Sequence, residues 1–335
     1  MPARIPITVV DLPPHLCAAL SQAAEQIRAD PYAEGDVFAQ QARTAAAALP
    51  EDGLSAVLDR FAARQGPSSL LIRGIPVPEA LQRTPAGSFH RLQDLQPTGA
   101  EPVLALLGAR LGEIFAYREW DGGHVVQNRY PVASHHDVQS ASGASDLVLH
   151  TEACFTAYPP DFLALLGLRP DPTGQALTLV SDIPQALAQL TPAERGALRD
   201  PLFVFPTDRG SYVHEGRRTT EPVPLLRDRA QGPVLEYSTL ITAITPAGAA
   251  ALAALEEALG RCAQSVLLGS GDLLLIDNRS AVHGRTEFRP AYDGTDRWIQ
   301  RVLLLRTLPS AGRTVPDTRL AHYPTEYIKA LALPA

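Results

Sequence analysis

The sequence is poor in the features that mark secreted, membrane-spanning and nucleic-acid-binding proteins. Its three cysteines, Cys17, Cys154 and Cys262, lie far apart in 335 residues and have no CxxC spacing. A disulfide framework is therefore not expected, and a reducing cytoplasm is the predicted location. The 29 basic residues are outnumbered by 36 acidic ones. A net charge of −7 does not favour a nucleic-acid partner, because such partners usually require a basic face.

Long apolar segments are also missing. The first residues, MPARIPITVVDLPPHL, have no apolar signal-peptide region before Asp11. Runs such as Leu104–Gly108 and Val302–Leu305 are far too short to cross a bilayer. With 45% hydrophobic and 19% charged residues, the composition is that of a globular protein with a sizeable core. We expect a soluble protein with no membrane partner and no evident obligate protein partner.

Periodicity and turn residues divide the chain into helical and extended segments. Segments rich in helix formers or with helical apolar spacing predict helices near 14–29, 36–48, 52–64, 101–117 and 246–261. Short apolar runs between turn residues predict strands at 68–78, 124–133, 162–169, 176–181, 202–205, 234–242, 272–277 and 298–305. This pattern favours an antiparallel sandwich or barrel with added helices, an α+β but mainly β fold. Because no repeat or linker is evident, we expect one domain over 1–335.

Two histidines and a glutamate indicate a metal site. His150 and Glu152 follow the apolar segment Leu147–Leu149, and in an extended chain residues i and i+2 face the same side. His283 follows the predicted strand 272–277 and a polar turn. Two histidines and one carboxylate form the facial triad of non-haem Fe(II) oxygenases. The HxE pair alone could equally be a surface histidine beside a solvated glutamate.

Two arginines share one face of the last predicted strand. Arg297 and Arg301 are four residues apart in an apolar segment, and a buried guanidinium needs a partner. Arginine is suited to bidentate carboxylate binding, which favours an anionic ligand. The alternative is a pair of structural ion pairs with Asp293 and Asp296.

These segments carry a resemblance to a known family. His150-x-Glu152, the segment GDLLLIDNRSAVHGR with His283, and YDGTDRWIQR resemble the clavaminate synthase-like branch of the Fe(II)/2-oxoglutarate-dependent oxygenases. The similarity is strongest to hydroxylases of free arginine and asparagine and covers about Tyr117 to Thr307. It implies a double-stranded β-helix (jelly-roll) core over 118–308. A mainly helical part over 1–117 and a C-terminal tail over 309–335 would flank that core.

The resemblance also implies roles for individual residues. His150, Glu152 and His283 match the iron ligands, and they count as the catalytic residues because the chemistry takes place on the metal. Arg297 and Thr178 match residues that hold the distal carboxylate of 2-oxoglutarate. A glutamate at position 152 argues against halogenase chemistry, since related halogenases replace the carboxylate ligand with a small residue.

Four further residues are implied in substrate binding. Arg301 matches the arginine near the substrate α-carboxylate, and Glu119, like the second oxygen of Glu152, is a candidate for the ammonium group. Ser140 lies in a loop, 134–145, that resembles a pocket wall of the family. Glu236 falls where related enzymes place acids that grip the end of the side chain. Glu119 and Glu236 could instead be ordinary solvated or ion-paired acids.

The expected reaction is hydroxylation of an unactivated C–H, at C3 or C4, of a free polar or basic L-amino acid. Fe(II) would be the metal, with 2-oxoglutarate and O2 as co-substrates and succinate and CO2 as products. The alternatives are desaturation of the same substrate, oxidation of a carrier-bound amino acid, and a non-catalytic jelly-roll binding protein. His135 and His136 are expected to be loop residues, because adjacent strand residues point to opposite faces.

Overall fold

The structure, a computed structural model, is a mixed α/β fold whose strands are mostly antiparallel. It describes residues 7–51, 53–87, 96–117, 120–154, 156, 159–205, 220–229, 232–238 and 240–308. Within these residues no helix is long and apolar enough to cross a membrane. The predicted mixture of helices with many short strands is confirmed.

Seven α-helices occur among the described residues, besides two short 3-10 turns. They are α1 (Pro14–Ala24), α2 (Gly35–Ala47), α3 (Gly53–Ala62), α4 (Glu101–Ala109), α5 (Ile183–Leu187), α6 (Pro192–Arg199) and α7 (Pro246–Cys262). Local sequence explains several starts: the Asp182, Thr191 and Thr245 side chains each accept a backbone hydrogen bond at the N-terminus of α5, α6 and α7. The short helices α5 and α6 were not predicted.

The strands form one large and one small sheet. In chain order the large sheet contains β1 (Thr8–Asp11), β2 (Ser69–Arg73), β3 (Glu113–Phe115), β4 (Gln127–Arg129), β6 (Phe162–Arg169), β13 (Leu273–Asp277) and β15 (Trp298–Leu305). The small sheet contains β5 (Leu147–His150), β7 (Thr178–Asp182), β12 (Gln264–Val266) and β14 (Ala281–Arg285). Two further strand pairs are β8 (Phe203–Val204) with β11 (Thr242–Ala243), and β9 (Leu226–Arg229) with β10 (Gly232–Leu235).

The large sheet runs β1-β2-β13-β6-β15-β3, with β4 also on β15, and the small sheet runs β12-β7-β14-β5. The β1–β2 pair is parallel, and the other pairs in both sheets are antiparallel. The predicted helical N-terminal part therefore also contributes β1, β2 and β3 to the large sheet.

Alternation along the central strands separates two cores. Leu273 and Leu275 of β13 pack in the cluster that contains the residues of α1 to α4. Leu274 and Ile276 pack instead with Val180 of the small sheet. On β15, Ile299 and Leu303 belong to this second cluster, so Arg297 and Arg301, two residues from them, share the inward face.

Some predicted boundaries were wrong. The helix predicted over 101–117 ends at Ala109, and Glu113–Phe115 pairs with β15 instead. Gly112 explains this turn, because a Cβ there would lie 2.5 Å from the carbonyl oxygen of Leu305. The strand predicted over 234–242 is split between two pairs of strands, and the one predicted over 124–133 shrinks to Gln127–Arg129.

Candidate metal centre and active site

The fold brings His150, Glu152 and His283 together. His150 ends β5, Glu152 follows two residues later, and His283 on β14 is the direct strand partner of His150. One ligand atom from each residue lies within 4.8 Å of the others. Glu152 Oε2 is 3.5 Å from His283 Nε2 and 3.7 Å from His150 Nε2. The antiparallel pairing of β5 and β14 thus places His150 and His283 side by side, although they are 133 positions apart in the sequence.

His283 and Glu152 have the protonation states that a metal requires. Burial, and to a lesser degree the charge of His150, lowers the pKa of His283 to about 4, so this imidazole is neutral near pH 7. Burial would raise the pKa of Glu152, but Arg301 and the two histidines outweigh burial and hold that pKa well below its usual range. His150 Nδ1 lies 2.9 Å from the carbonyl oxygen of Val148. That contact fixes the tautomer in which Nε2 presents its lone pair, the usual arrangement of a metal-binding histidine.

Asn278, which the sequence analysis did not single out, holds the backbone of Glu152. Its Oδ1 accepts from the Glu152 amide at 2.7 Å, and its Nδ2 donates to the Glu152 and Pro160 carbonyl oxygens at 3.1 and 2.9 Å. The only sequence signal was a polar turn after an apolar strand. A buried amide bonded on both sides in this way fixes the direction in which the carboxylate points.

A network of buried charges lies behind the carboxylate. Arg301 Nη1 is 2.9 Å from Glu152 Oε2, and Arg301 Nε donates to Gln127 Oε1 at 2.8 Å. The same Gln127 oxygen accepts from Arg129 at 2.9 Å, and Arg129 forms a bidentate pair with Asp121, with both bonds at 2.7 Å. Two guanidiniums and two carboxylates therefore balance in charge. Neither Asp121 nor Gln127 was predicted.

A second group of buried cations lies around Arg297, and we call this region the Arg297 pocket. Arg297 is 7% exposed, and no hydrogen bond or ion pair joins its guanidinium to another residue in the described part of the chain. The structural ion pairs considered for Arg297 and Arg301 with Asp293 or Asp296 are not formed there. Asp296 accepts from two backbone amides instead, and Asp293 from Thr295. Burial and the nearby Arg285 lower the pKa of Arg297, as expected for a cation without a local counter-ion.

Thr178 lies next to the Arg297 pocket. It is buried on β7, directly opposite Arg285 of β14. Arg285 and Arg297 both lie over the ring of Phe288, at 4.8 and 5.8 Å from its centroid. A carboxylate entering here would meet buried cations and a threonine hydroxyl, so the residues present fit an anionic group.

The remaining predicted residues are less closely tied to the triad. Ser140 bonds to Ser142 Oγ at 3.2 Å within a loop, and Glu236 pairs with Arg227 at 3.0 Å. The backbone next to Glu236 is nonetheless close to the centre, because Thr151 and Tyr237 exchange backbone and hydroxyl hydrogen bonds. Glu119 lies outside the described residues.

His135 and His136 are loop residues, as predicted. His135 Nδ1 lies 2.9 Å from Ser142 Oγ, and His136 Nδ1 lies 2.8 Å from the Tyr292 hydroxyl. Neither histidine belongs to the cluster of possible metal ligands found among the described residues.

Comparison with known proteins identifies the family. The family model described as taurine catabolism dioxygenase TauD, TfdA family, matches residues 71–303. The chain belongs to this dioxygenase family. It is 36% identical to clavaminate synthase 2 of Streptomyces clavuligerus over 305 residues, which are 88% of this chain and 91% of the relative. It is 32% identical to L-lysine 3-hydroxylase of Catenulispora acidiphila over 300 residues, 86% of this chain and 81% of the relative.

A solved structure agrees with this family membership. The non-haem iron oxygenase OrfP, in complex with Fe and alpha-ketoglutaric acid, superposes with a TM-score of 0.81 and 28% identity. The match covers 94% of this chain and 100% of that chain. The dioxygenase described here is accordingly an Fe(II)- and 2-oxoglutarate-dependent oxygenase, and the resemblance found in its sequence is confirmed.

The donor set suits this chemistry. Two imidazoles and one carboxylate would leave adjacent coordination positions open, as in non-haem Fe(II) oxygenases. Bound Fe(II) supplies the redox step that couples decarboxylation of 2-oxoglutarate to oxidation of the substrate. The chain itself fixes the backbone of Glu152, balances the charge of its carboxylate and partly buries the three side chains.

Proposed function

We propose that this oxygenase hydroxylates an unactivated C–H, at C3 or C4, of a free polar or basic L-amino acid. The observation that carries the proposal is the contact between Arg301 and Glu152, a cation and an anion held 2.9 Å apart beside the possible metal ligands. The α-carbon of a free amino acid carries the complementary pair of charges. The hydroxylation of lysine named for the Catenulispora relative supports the same substrate class.

In this proposal the metal is held by His150, Glu152 and His283. The distal carboxylate of 2-oxoglutarate binds Arg297 with help from Thr178. The support is the unpaired state of the buried Arg297 guanidinium among the described residues, since a buried cation favours an anionic partner. The two facing sheets form a double-stranded β-helix, and the whole chain acts as one oxygenase domain.

The substrate α-carboxylate binds Arg301, and its ammonium group binds the second oxygen of Glu152. Gln127 supports this role, because its oxygen accepts from Arg301 Nε and orients the guanidinium so that Nη1 lies against Glu152. Glu119 is a second ammonium ligand, and Ser140 forms part of the pocket wall. Glu236 grips a nitrogen at the end of the substrate side chain, which requires its carboxylate to exchange Arg227 for the substrate.

The experiment is a screen of the proteinogenic amino acids, ornithine and related guanidino compounds with Fe(II), 2-oxoglutarate and O2. Succinate release identifies substrates, and mass analysis of the products identifies the reaction. We expect a product that has gained one oxygen atom from at least one polar or basic amino acid. Loss of two hydrogen atoms instead would identify a desaturase. Turnover of carrier-bound compounds alone would refute the free-amino-acid proposal and the role of Arg301.

A further inference from the structure

Arg285 lies two residues beyond His283 on β14, and its side chain is only 3% exposed. The proposed metal site gives no reason for burying an arginine at this position. Its guanidinium donates to the carbonyl oxygens of Ala141 and Ser145, which belong to the loop 133–145 before β5. In the described residues it has no ion pair. Its Nε donates to the carbonyl oxygen of the neighbouring Thr286, so the two Nη groups are the ones that fasten the loop.

The same guanidinium borders the pocket of Arg297. Both arginines lie over the Phe288 ring, and their mutual repulsion contributes to the lowered pKa of Arg297. Asp171 is the acid whose charge acts on Arg297, and Asp146 is the one that acts on Arg285. Neither acid forms an ion pair with its arginine. Arg285 and Arg297 therefore repel each other across the Phe288 ring. An anion bound close to both guanidiniums would offset this repulsion.

Phe288 provides a second connection between the Arg297 pocket and the loop, besides Arg285. Its amide donates to the Ala144 carbonyl oxygen at 3.1 Å, and its ring packs with Ala144 and Ala176. The loop is internally compact: the Ala144 amide donates to His136, and a Cβ on Gly143 would lie 1.8 Å from the Val138 carbonyl oxygen. A compact loop moves as a unit, so its docking depends on the few groups that fasten it, among them Arg285 and Phe288.

We propose that Arg285 is a positioning residue that couples anion binding at Arg297 to the docking of the loop 133–145. In the empty pocket, repulsion from Arg297 works against the position in which Arg285 holds the loop. A carboxylate bound by Arg297 cancels this repulsion, and the docked loop is stabilised. The coupling is reciprocal, so a docked loop strengthens binding of the co-substrate by the same factor. The inference rests on the proposed role of Arg297.

The test uses hydrogen–deuterium exchange on the full chain loaded with Zn(II), which is not redox-active and so permits no turnover. Exchange of the amides of 133–145 is followed with and without saturating 2-oxoglutarate. In the wild type we expect 2-oxoglutarate to slow exchange about fivefold, the lower end of usual coupling between sites. Arg289→Gln, a matched change at an exposed arginine nearby, should show the same protection.

Arg285→Gln should still bind 2-oxoglutarate, measured by calorimetry, but saturation should no longer protect the loop. Arg285→Lys provides a second variant if the glutamine variant does not fold. It keeps the charge, but an ammonium group lacks the planar fork that reaches both carbonyls, so most of the protection should again be lost. Unchanged exchange in the wild type, or full protection in either Arg285 variant, overturns the coupling.

The variant Arg297→Ala shows whether only the proposed coupling is wrong or whether the proposed co-substrate site is wrong as well. If Arg297→Ala binds 2-oxoglutarate as tightly as the wild type, the carboxylate site lies elsewhere, and both assignments are wrong. If Arg297→Ala loses binding while an Arg285 variant keeps the protection, the co-substrate site stands and only the coupling is wrong.

Discussion

Replacing Arg301 with glutamine tests whether amino-acid binding can be lost while metal binding is kept. The change removes the guanidinium that lies 2.9 Å from Glu152 Oε2 and donates to Gln127, but leaves the three possible metal ligands intact. Because Arg301 and a metal share Glu152, metal affinity should be equal or higher in the variant. Binding of 2-oxoglutarate should be unchanged, since Arg297 is retained. Binding of the amino acid should fall.

The size of the fall follows from the contacts. A hydrogen bond to a charged group contributes about 1.5–3 kcal/mol, so loss of the carboxylate contact should weaken amino-acid binding roughly 10- to 150-fold. The folded state also loses a buried ion pair, and removal of one partner typically costs about 3–5 kcal/mol. Arg129 remains in the network behind Glu152 and offsets part of that cost.

The assay is calorimetry on the Zn(II)-loaded protein, titrated first with 2-oxoglutarate and then with the amino acid found in the substrate screen. Arg301→Lys is the matched control: it keeps the charge but not the fork, so it should recover part of the affinity. Arg289→Gln, at an exposed position, should behave as the wild type. Equal amino-acid affinities in the wild type and Arg301→Gln would refute the carboxylate role. A large loss of 2-oxoglutarate affinity would show that the two sites are not separate.

Three further predictions concern the metal, the co-substrate and the buried charges. His283→Ala should abolish both Fe(II) binding and turnover, and full iron-dependent activity would refute the metal assignment. Arg297→Ala should raise the 2-oxoglutarate requirement at least about tenfold, given the usual strength of charged hydrogen bonds; identical saturation curves would contradict this. Asp121→Asn should lower the free energy of unfolding by about 3–5 kcal/mol near neutral pH, because Arg129 loses its bidentate partner. Burial would raise the pKa of Asp121, but Arg129 outweighs it and lowers that pKa, so the pair stabilises the fold above the ordinary aspartate pKa of about 3.9. The difference between Asp121→Asn and wild type should therefore shrink as the pH falls through the lower folded pKa, and a difference that grows with acid would refute the pairing.

Much of the centre could be predicted because its signals are local. The alternation that turns Arg297 and Arg301 inward follows from the geometry of an extended chain. The same argument brought His150 and Glu152 to attention, although Glu152 lies in the turn after β5, where Asn278 holds its backbone. His283 was singled out because an apolar strand and a polar turn precede it, whereas its position within β14 and its pairing with His150 were not predicted. Several strands were not predicted at all, among them β3 and β14.

The groups that sequence reasoning missed depend on distant pairing. Asn278 reaches Glu152 across 126 positions, and Arg301 reaches Gln127 across 174. The residues next to Asn278 and Gln127 in the sequence do not indicate these partners. Which side chains meet is decided by the register between strands that are distant in the sequence. The pairing of Glu236 with Arg227 across a two-strand hairpin is of the same kind, and Glu236 was predicted only as an acid in a favourable place.

The register of β15 fixes the positions of the two proposed anion sites relative to each other. Arg297 precedes Trp298 at the start of the strand, and Arg301 lies four residues later on the same face. At about 3.3 Å per residue, an extended backbone separates their Cα atoms by roughly 13 Å. The intervening Gln300 faces the helices and donates to Glu101, which anchors the register from the opposite side. A one-residue slip of β15 would turn both arginines toward the helices and bring Gln300 into the site. The Gln300–Glu101 bond on the helical side therefore helps to keep the two arginines in place, and with them the proposed co-substrate and substrate sites.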